Sequence, residues 1–446
     1  MSSILIKNGI LINEGKETQG DLLIVNDRIE RVGGVIDHPV SREIDAEGLI
    51  VMPGIIDDQV HFREPGLTHK ATIASESRAA ITGGVTSFME MPNTKPPALT
   101  QDLLAEKYQI ASKTSAANYS FFMGTANDNY DEVMRTDPEK VCGVKIFMGS
   151  STGNLLVDDE AILRKVFADC PLLIATHCED EATIKSNLER LLNIYGAENL
   201  QAKHHPVIRN NAGCLASSTL AVKLAKELGT RLHVLHISTA EEIALFKNDL
   251  PLTKKKITAE VCVHHLYFDA DDYETLGNRI KCNPAIKAPE NKVALFQAML
   301  DDRLDIIATD HAPHTLDEKM HPYVDAPSGL PLVQHSLNIM LHFYHQKAIT
   351  LPKMVEKMCH SPAICFRLKG RGFLREGYFA DVILVDPDSE WVLGRESIVY
   401  KCGWSPLEGR NLRGSIRQVI LNGQNVYSEG SFEKTEGVAM RLEFEC

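Results

Sequence analysis

The chain has no excess of positive charge, no long apolar run, no closely paired cysteines and no leader-like start. Each absence excludes something. Lysine and arginine total 47 against 60 aspartates and glutamates, a net charge of −13, which argues against non-specific binding to a nucleic-acid backbone. No apolar stretch approaches the roughly 20 residues that span a bilayer, so no membrane partner is expected. The first residues lack a basic segment followed by a long apolar one, so no signal peptide is expected. The ten cysteines stand singly, with no Cys-x-x-Cys pair. In a chain of 446 residues this is the usage of reduced, mostly buried thiols and points to a cytoplasmic protein. No short repeat or low-complexity segment stands out.

What is present is an ordinary globular composition, 44% hydrophobic and 24% charged, on a chain long enough to bury a large core. Strand-like runs at 4–9, 20–25 and 27–32 are separated by Gly, Asn and Asp turn residues, and the same texture returns at 380–386 and 416–423. Neither end makes a comfortable core alone. They are expected to pair as one small β-sandwich domain, residues 1–50 with 371–446, leaving 51–370 as an inserted unit. Within that unit β-like runs alternate with helix-like segments, at 49–57, 84–89, 118–123, 143–148, 172–176, 232–236, 257–261 and 304–309. Eight successive βα units predict an α/β fold, a TIM-type (β/α)8 barrel, with its active site at the C-terminal ends of the strands.

Those strand ends carry chemistry. His61 follows the first run, His177 the fifth, His236 the sixth and Asp310 the eighth. Imidazole and carboxylate are the donors a zinc-like divalent ion takes. A single histidine after a strand is more often structural, but a closed barrel would bring these four ends together, and as a set they read as a metal centre. Lys145 lies inside the apolar run Val144-Lys145-Ile146-Phe147, where a free cation is costly to bury. It is either a salt-bridged or snorkelling lysine, or an amine N-carboxylated by CO₂ whose carbamate bridges two metal ions. Other side chains read as structural: His264 and His265 as packing or supporting groups, His204 and His205 as loop, His233 as a satisfied core residue. Cys178 should turn away from a ligating His177, since neighbours along a strand face opposite ways.

With these residues in view, the chain resembles the cyclic-amidohydrolase branch of the amidohydrolase superfamily, and within it the dihydroorotases. The likeness is carried by His61-Phe62-Arg63-Glu64-Pro65-Gly66, Met91-Pro92-Asn93-Thr94 and Asp310-His311-Ala312-Pro313-His314, and it spans almost the whole chain. The resemblance implies that His61 binds the more buried metal and that His177 and His236 bind the other. Lys145 would bridge them as its carbamate, and Asp310 would bind metal and shuttle the proton. It implies one or two zinc ions per chain, with two favoured. Arg63, Asn93 and His314 would hold the carboxylate of a small-molecule substrate, with Asn283, Ser328 and Gly329 as further contacts. The implied reaction is the reversible cyclisation of N-carbamoyl-aspartate to dihydroorotate for pyrimidine synthesis.

Two departures from the pattern matter. Gln59 stands where the family has the first metal-binding histidine, and an amide oxygen is a weak ligand for a zinc-like ion. Many bacterial dihydroorotases of similar length bridge with an aspartate of an Asp-Asp-Gly run, whereas residues 145–151 here read Lys-Ile-Phe-Met-Gly-Ser-Ser. Asp158 and Asp159 lie well downstream and read as solvated loop or helix-cap residues. Two alternatives stay open. One is a dihydropyrimidinase, hydantoinase or allantoinase, against which Arg63 argues, because their substrates or their usual residue at that position do not match a carboxylate-reading arginine. The other is a non-catalytic dihydroorotase-like scaffold, which Gln59 would announce and the other retained residues oppose. A homodimer is expected only as the commonest soluble oligomer. Residues 315–325 read equally as a lid over the substrate and as a plain surface loop.

Overall fold

A computed structural model describes residues 2–149, 155–157, 159–433 and 436–445. Eight parallel strands form a barrel: Ile55–Val60, Val85–Glu90, Asn118–Phe121, Val144–Phe147, Ile174–His177, Leu232–Val234, Ile257–Cys262 and Ile306–Ala308. Their residues are almost wholly buried, as expected of parallel strands whose outer face is covered by helices. The third strand breaks at Phe122 and resumes as Met123–Gly124, which pairs with the fourth. Between the last strand and the first, the barrel closes through His61 N, which donates to His311 O at 2.7 Å.

Each β-like run contains a strand, but the first is divided. Ile50–Pro53 pairs with Ser3–Asn13 and Val382–Val392 outside the barrel, and only Ile55–Val60 enters it. The division falls at Pro53-Gly54 for steric reasons. A Cβ on Gly54 would lie 2.0 Å from Thr86 Oγ1, so the chain passes the second barrel strand at a distance that only glycine allows.

The terminal segments share one nine-stranded sheet, in which the N-terminal strands meet the C-terminal ones where Ile50–Pro53 runs antiparallel to Val382–Val392. Ile4, Ile6, Leu22, Ile24, Val382, Leu384 and Ile420 pack together within it. A polar hub ties this sheet to the barrel. Asp381 pairs with Arg371 and accepts from Asn118 Nδ2 at 3.1 Å and from Asn422 N at 2.9 Å. Asn422 Nδ2 donates to Asn118 Oδ1 at 2.8 Å. The nine cysteines among the described residues are unpaired, and no helix among those residues is long and apolar enough to cross a membrane.

Candidate active site

Every residue singled out above as a metal or substrate contact lines one cavity of about 380 Å³ at the C-terminal mouth of the barrel. Three of them, Arg63, His236 and Asp310, hold positive φ angles of 68°, 40° and 46°. Non-glycine residues avoid this region, and such strain collects at functional sites. Gly329 has φ +134°, and a Cβ there would lie 2.4 Å from Ala312 O, so the Ser328-Gly329 wall requires glycine.

One side of the cavity suits a divalent ion. His177 Nδ1 and His236 Nε2 face each other at 3.0 Å, and His177 Nε2 meets Glu179 Oε2 at 3.0 Å. The carboxylate fixes the His177 proton on Nε2 and leaves Nδ1 as a lone pair, the arrangement of a ligating histidine with an orienting partner. Burial works to raise Glu179, but Arg209 and His177 overcome it and hold its carboxyl at about 2. Burial also lowers both imidazoles, His236 further through His177 and Lys145 beside it, so both are in the neutral, ligating form. His236 Nδ1 is buried without a hydrogen-bond partner among the described residues.

Lys145 Nζ has neither hydrogen bond nor ion pair among the described residues and lies 4.6 Å from the Phe147 ring centre. Burial lowers it to about 7, which leaves much of the amine unprotonated at neutral pH and able to react with CO₂. These donors fit a zinc-like ion. In the same cavity His61 Nε2 lies 3.0 Å from Asp310 Oδ1, and His61 Nδ1 lies 2.8 Å from Asn93 Oδ1. Burial works to raise Asp310, but His61 overcomes it and keeps the carboxyl below its ordinary range.

The outer part of the cavity is crowded with donors. Arg63 Nε donates to Pro313 O at 3.1 Å, and its NH2 lies 3.0 Å from His314 Nε2. Lys70 Nζ is 2.9 Å from His314 Nδ1, while Ser328 O sits 3.0 Å from the same Nε2. A neutral imidazole has one lone pair, so it cannot satisfy both cations. Burial lowers Arg63, but only to about 10, so it remains charged. Lys95 lines the same cavity. Glu318 Oε1 pairs with Lys70 at 3.0 Å, which leaves Arg63 as a cation without a carboxylate among the described residues, and a planar guanidinium suits one.

Several supporting residues were not evident in the sequence. Lys70 and Lys95 line the cavity from positions with no strand-end pattern, Phe147 lines it from the end of the fourth strand, and Glu179 acts through His177. The loop reading of His205 needs correction. His205 opens the short helix His205–Ile208 with proline next to it, a favourable start, and is buried. Its Nδ1 lies 2.8 Å from Tyr323 Oη, and its Nε2 lies 2.8 Å from Cys282 O and 3.2 Å from Asn283 Oδ1. His264 and His265 are buried on Val263–Tyr267 and do not line the cavity. Cys178 Sγ donates to Thr176 Oγ1 at 3.3 Å, away from the donors around His177. Asp159 caps Glu160–Asp169; Asp158, Ser150 and Ser151 lie outside the described residues.

Beneath the cavity, His233 Nε2 lies 3.3 Å from both Asp58 Oδ2 and Glu260 Oε2. Glu260 Oε1 accepts from His236 N at 3.0 Å, so this buried ionic layer supports the His236 backbone from below. Residues 315–325 are anchored from inside. Lys319 Nζ donates to Lys281 O, Pro327 O and Gly329 O at 3.0, 2.9 and 2.8 Å.

A parallel barrel with imidazole, carboxylate and lysine donors converging at its mouth defines a hydrolase of the kind that opens amide bonds. The model of the amidohydrolase family matches residues 50–426. Curated relatives named dihydroorotase are 33% identical in Methanosarcina acetivorans, covering 99% of this chain and 96% of the relative. In Bacillus subtilis the figures are 31%, 97% and 100%. An L-hydantoinase (dihydropyrimidinase) structure from Arthrobacter aurescens superposes with a TM-score of 0.92 at 24% identity, covering 99% of this chain and 100% of that one, a likeness of fold. The chain belongs to the amidohydrolase family and is a hydrolase of cyclic amides.

Proposed function

We propose that this chain is a dihydroorotase, interconverting N-carbamoyl-L-aspartate and L-dihydroorotate in pyrimidine synthesis. The observation that carries the reading is the Arg63 guanidinium beside His314. Lys70 is matched by Glu318 Oε1 at 3.0 Å, but buried Arg63 faces a His314 nitrogen that also meets Ser328 O, so its guanidinium calls for an anionic group that uncharged hydantoin and dihydrouracil do not offer. In this reading Arg63, Asn93 and His314 bind the substrate carboxylate, and Asn283, Ser328 and Gly329 orient the ring. His177 and His236, with carboxylated Lys145, would hold zinc. When bound, that ion supplies Lewis-acid polarisation of the ring amide and lowers the pKa of a water.

The chain's own residues account for the rest. Asp310, kept ionised by His61, takes a proton at Oδ from the attacking water and returns it to the ring nitrogen as the C–N bond breaks; in the cyclising direction it takes the proton from the carbamoyl nitrogen and gives it to the departing hydroxyl, which leaves as water. The nearly closed wall of Ala312 and Gly329 limits how far the ring can shift. The barrel carries this reaction, while the terminal segments, residues 1–53 and 371–446, form its supporting β-domain, and the unpaired cysteines suit the cytoplasm.

The test is turnover of L-dihydroorotate against hydantoin, dihydrouracil and allantoin on protein of measured metal content. Dihydroorotate should be preferred by at least about 100-fold in kcat/KM. Equal or better turnover of an uncharged ring would sink the assignment, and no turnover of any after zinc and bicarbonate are restored would favour a scaffold.

A further inference from the structure

The two halves of the site differ in what their donors already do. His177 and His236 turn ring nitrogens toward one another, and Lys145 is uncommitted. Gln59, by contrast, is engaged at both ends of its amide. Its Nε2 donates to Asp310 Oδ1 at 3.2 Å, the oxygen that His61 Nε2 meets at 3.0 Å. Its Oε1 faces Cys262 Sγ at 3.8 Å. Both contacts are buried.

The partners fix which way the amide points. An ionised carboxylate only accepts, so the NH₂ end belongs at Asp310, while a thiol is a weak donor, so the oxygen belongs at Cys262. A reversed amide would set its oxygen against the Asp310 oxygen and leave the carboxylate without that donor. To ligate an ion held by His61 and Asp310, Gln59 would have to turn its oxygen to the ion and abandon both bonds. An amide oxygen is a poor donor to a zinc-like ion in any case. His61 and Asp310 offer two protein ligands of their own, and would reach the three or four such ions take from proteins only by sharing a Lys145 carbamate with the other ion.

Resting on the functional reading above, we propose that Gln59 is a positioning residue that brackets Asp310. The buried half of the site is then no longer a metal site, and the chain holds one zinc-like ion, at His177 and His236 with Lys145. Lys145 then serves one ion and bridges none. Gln59 holds the proton-carrying carboxylate in place by donating to it.

Metal content separates the possibilities without reference to turnover. Wild type and Gln59→His protein, each reconstituted with zinc and bicarbonate, would be analysed by inductively coupled plasma mass spectrometry. The expected contents are about one zinc per chain in wild type and about two in Gln59→His, where an imidazole completes the half-built set. Two zinc ions in a wild type that turns over dihydroorotate would overturn this inference alone. No zinc in the wild type would overturn the functional reading with it. A Gln59→His variant that stays at one would show that His61 and Asp310 are not a latent site. Gln59→Leu tests the bracket. It should retain one zinc and move the acidic limb of the kcat/KM profile upward by about 0.5–1 pH unit, since Asp310 loses a donor to its ionised form; an unmoved limb rules out the positioning role.

Discussion

At the residue scale, Arg63 carries the sharpest expectation. It is buried, charged, and anchored by Pro313 O, so its remaining donors are aimed before substrate arrives. Arg63→Ala should lower kcat/KM for dihydroorotate by roughly 10²–10³, the loss typical of truncating a buried charge pair. Turnover of uncharged dihydrouracil should fall far less. Arg63→Lys keeps the charge but not the fork, and should fall between the two. Steady-state kinetics on both substrates checks this, and parallel losses on the two rings would show that Arg63 only maintains the fold. The legibility of the site follows the same logic. His61, His177, His236, Asp310 and Lys145 could be found because each is a chemically expensive residue placed in or just after an apolar run. Lys70 and Glu179 could not, because a lysine or glutamate in a polar stretch looks the same whether or not the fold brings it to a histidine. His205 was misread for that reason; the bonds that bury it come from Tyr323 and Cys282, far along the chain.

At the element scale, the ionic layer joining three barrel strands sets a pH dependence. Burial works to lower His233, but Asp58 and Glu260 overcome it and raise it to about 9. The unfolded imidazole titrates near 6.5. A raised folded pKa means that the contribution of His233 is complete below pH 6.5 and is lost as pH rises through about 9. His233→Gln should therefore destabilise by about 3–5 kcal/mol at pH 6, because buried Asp58 loses its cation beside a Glu260 carboxyl that burial and Asp58 raise to about 8. The gap from wild type should close toward pH 9, which denaturant melts at several pH values would show; a constant gap would make the role one of packing. The anchored segment 315–325 gives a second expectation. Lys319→Met removes three bonds to carbonyls that hold the Ser328-Gly329 wall, and should raise KM about 10-fold with a smaller change in kcat. A fall in kcat with KM unmoved would contradict it. Element boundaries were less legible than element existence. The period-two and apolar patterns located every barrel strand, but the transfer of Ile50–Pro53 to the other sheet depends on Gly54 passing Thr86, a contact between segments that no local pattern encodes.

At the scale of the whole molecule, the chain's two ends meet in one sheet, so the sheet cannot be completed until the intervening barrel has brought residue 53 and residue 382 together. Pairings of such sequence separation form late and depend on the rest of the fold. The hub at Asp381 makes the dependence mutual. Its carboxylate receives Arg371, Asn118 and the backbone of Asn422, so it joins a barrel strand to the terminal sheet. Two units coupled in this way should unfold together. Thermal melting of wild type followed by far-ultraviolet circular dichroism and by zinc release to a chromophoric chelator should give coincident midpoints. Asp381→Ala leaves the buried Arg371 guanidinium without its carboxylate, at a position that does not line the cavity, and should cost about 3–5 kcal/mol. It should lower both midpoints equally. If the zinc midpoint stays at the wild-type temperature while the sheet melts earlier, the barrel stands alone, and the terminal sheet is an appendage whose residues have no bearing on the site.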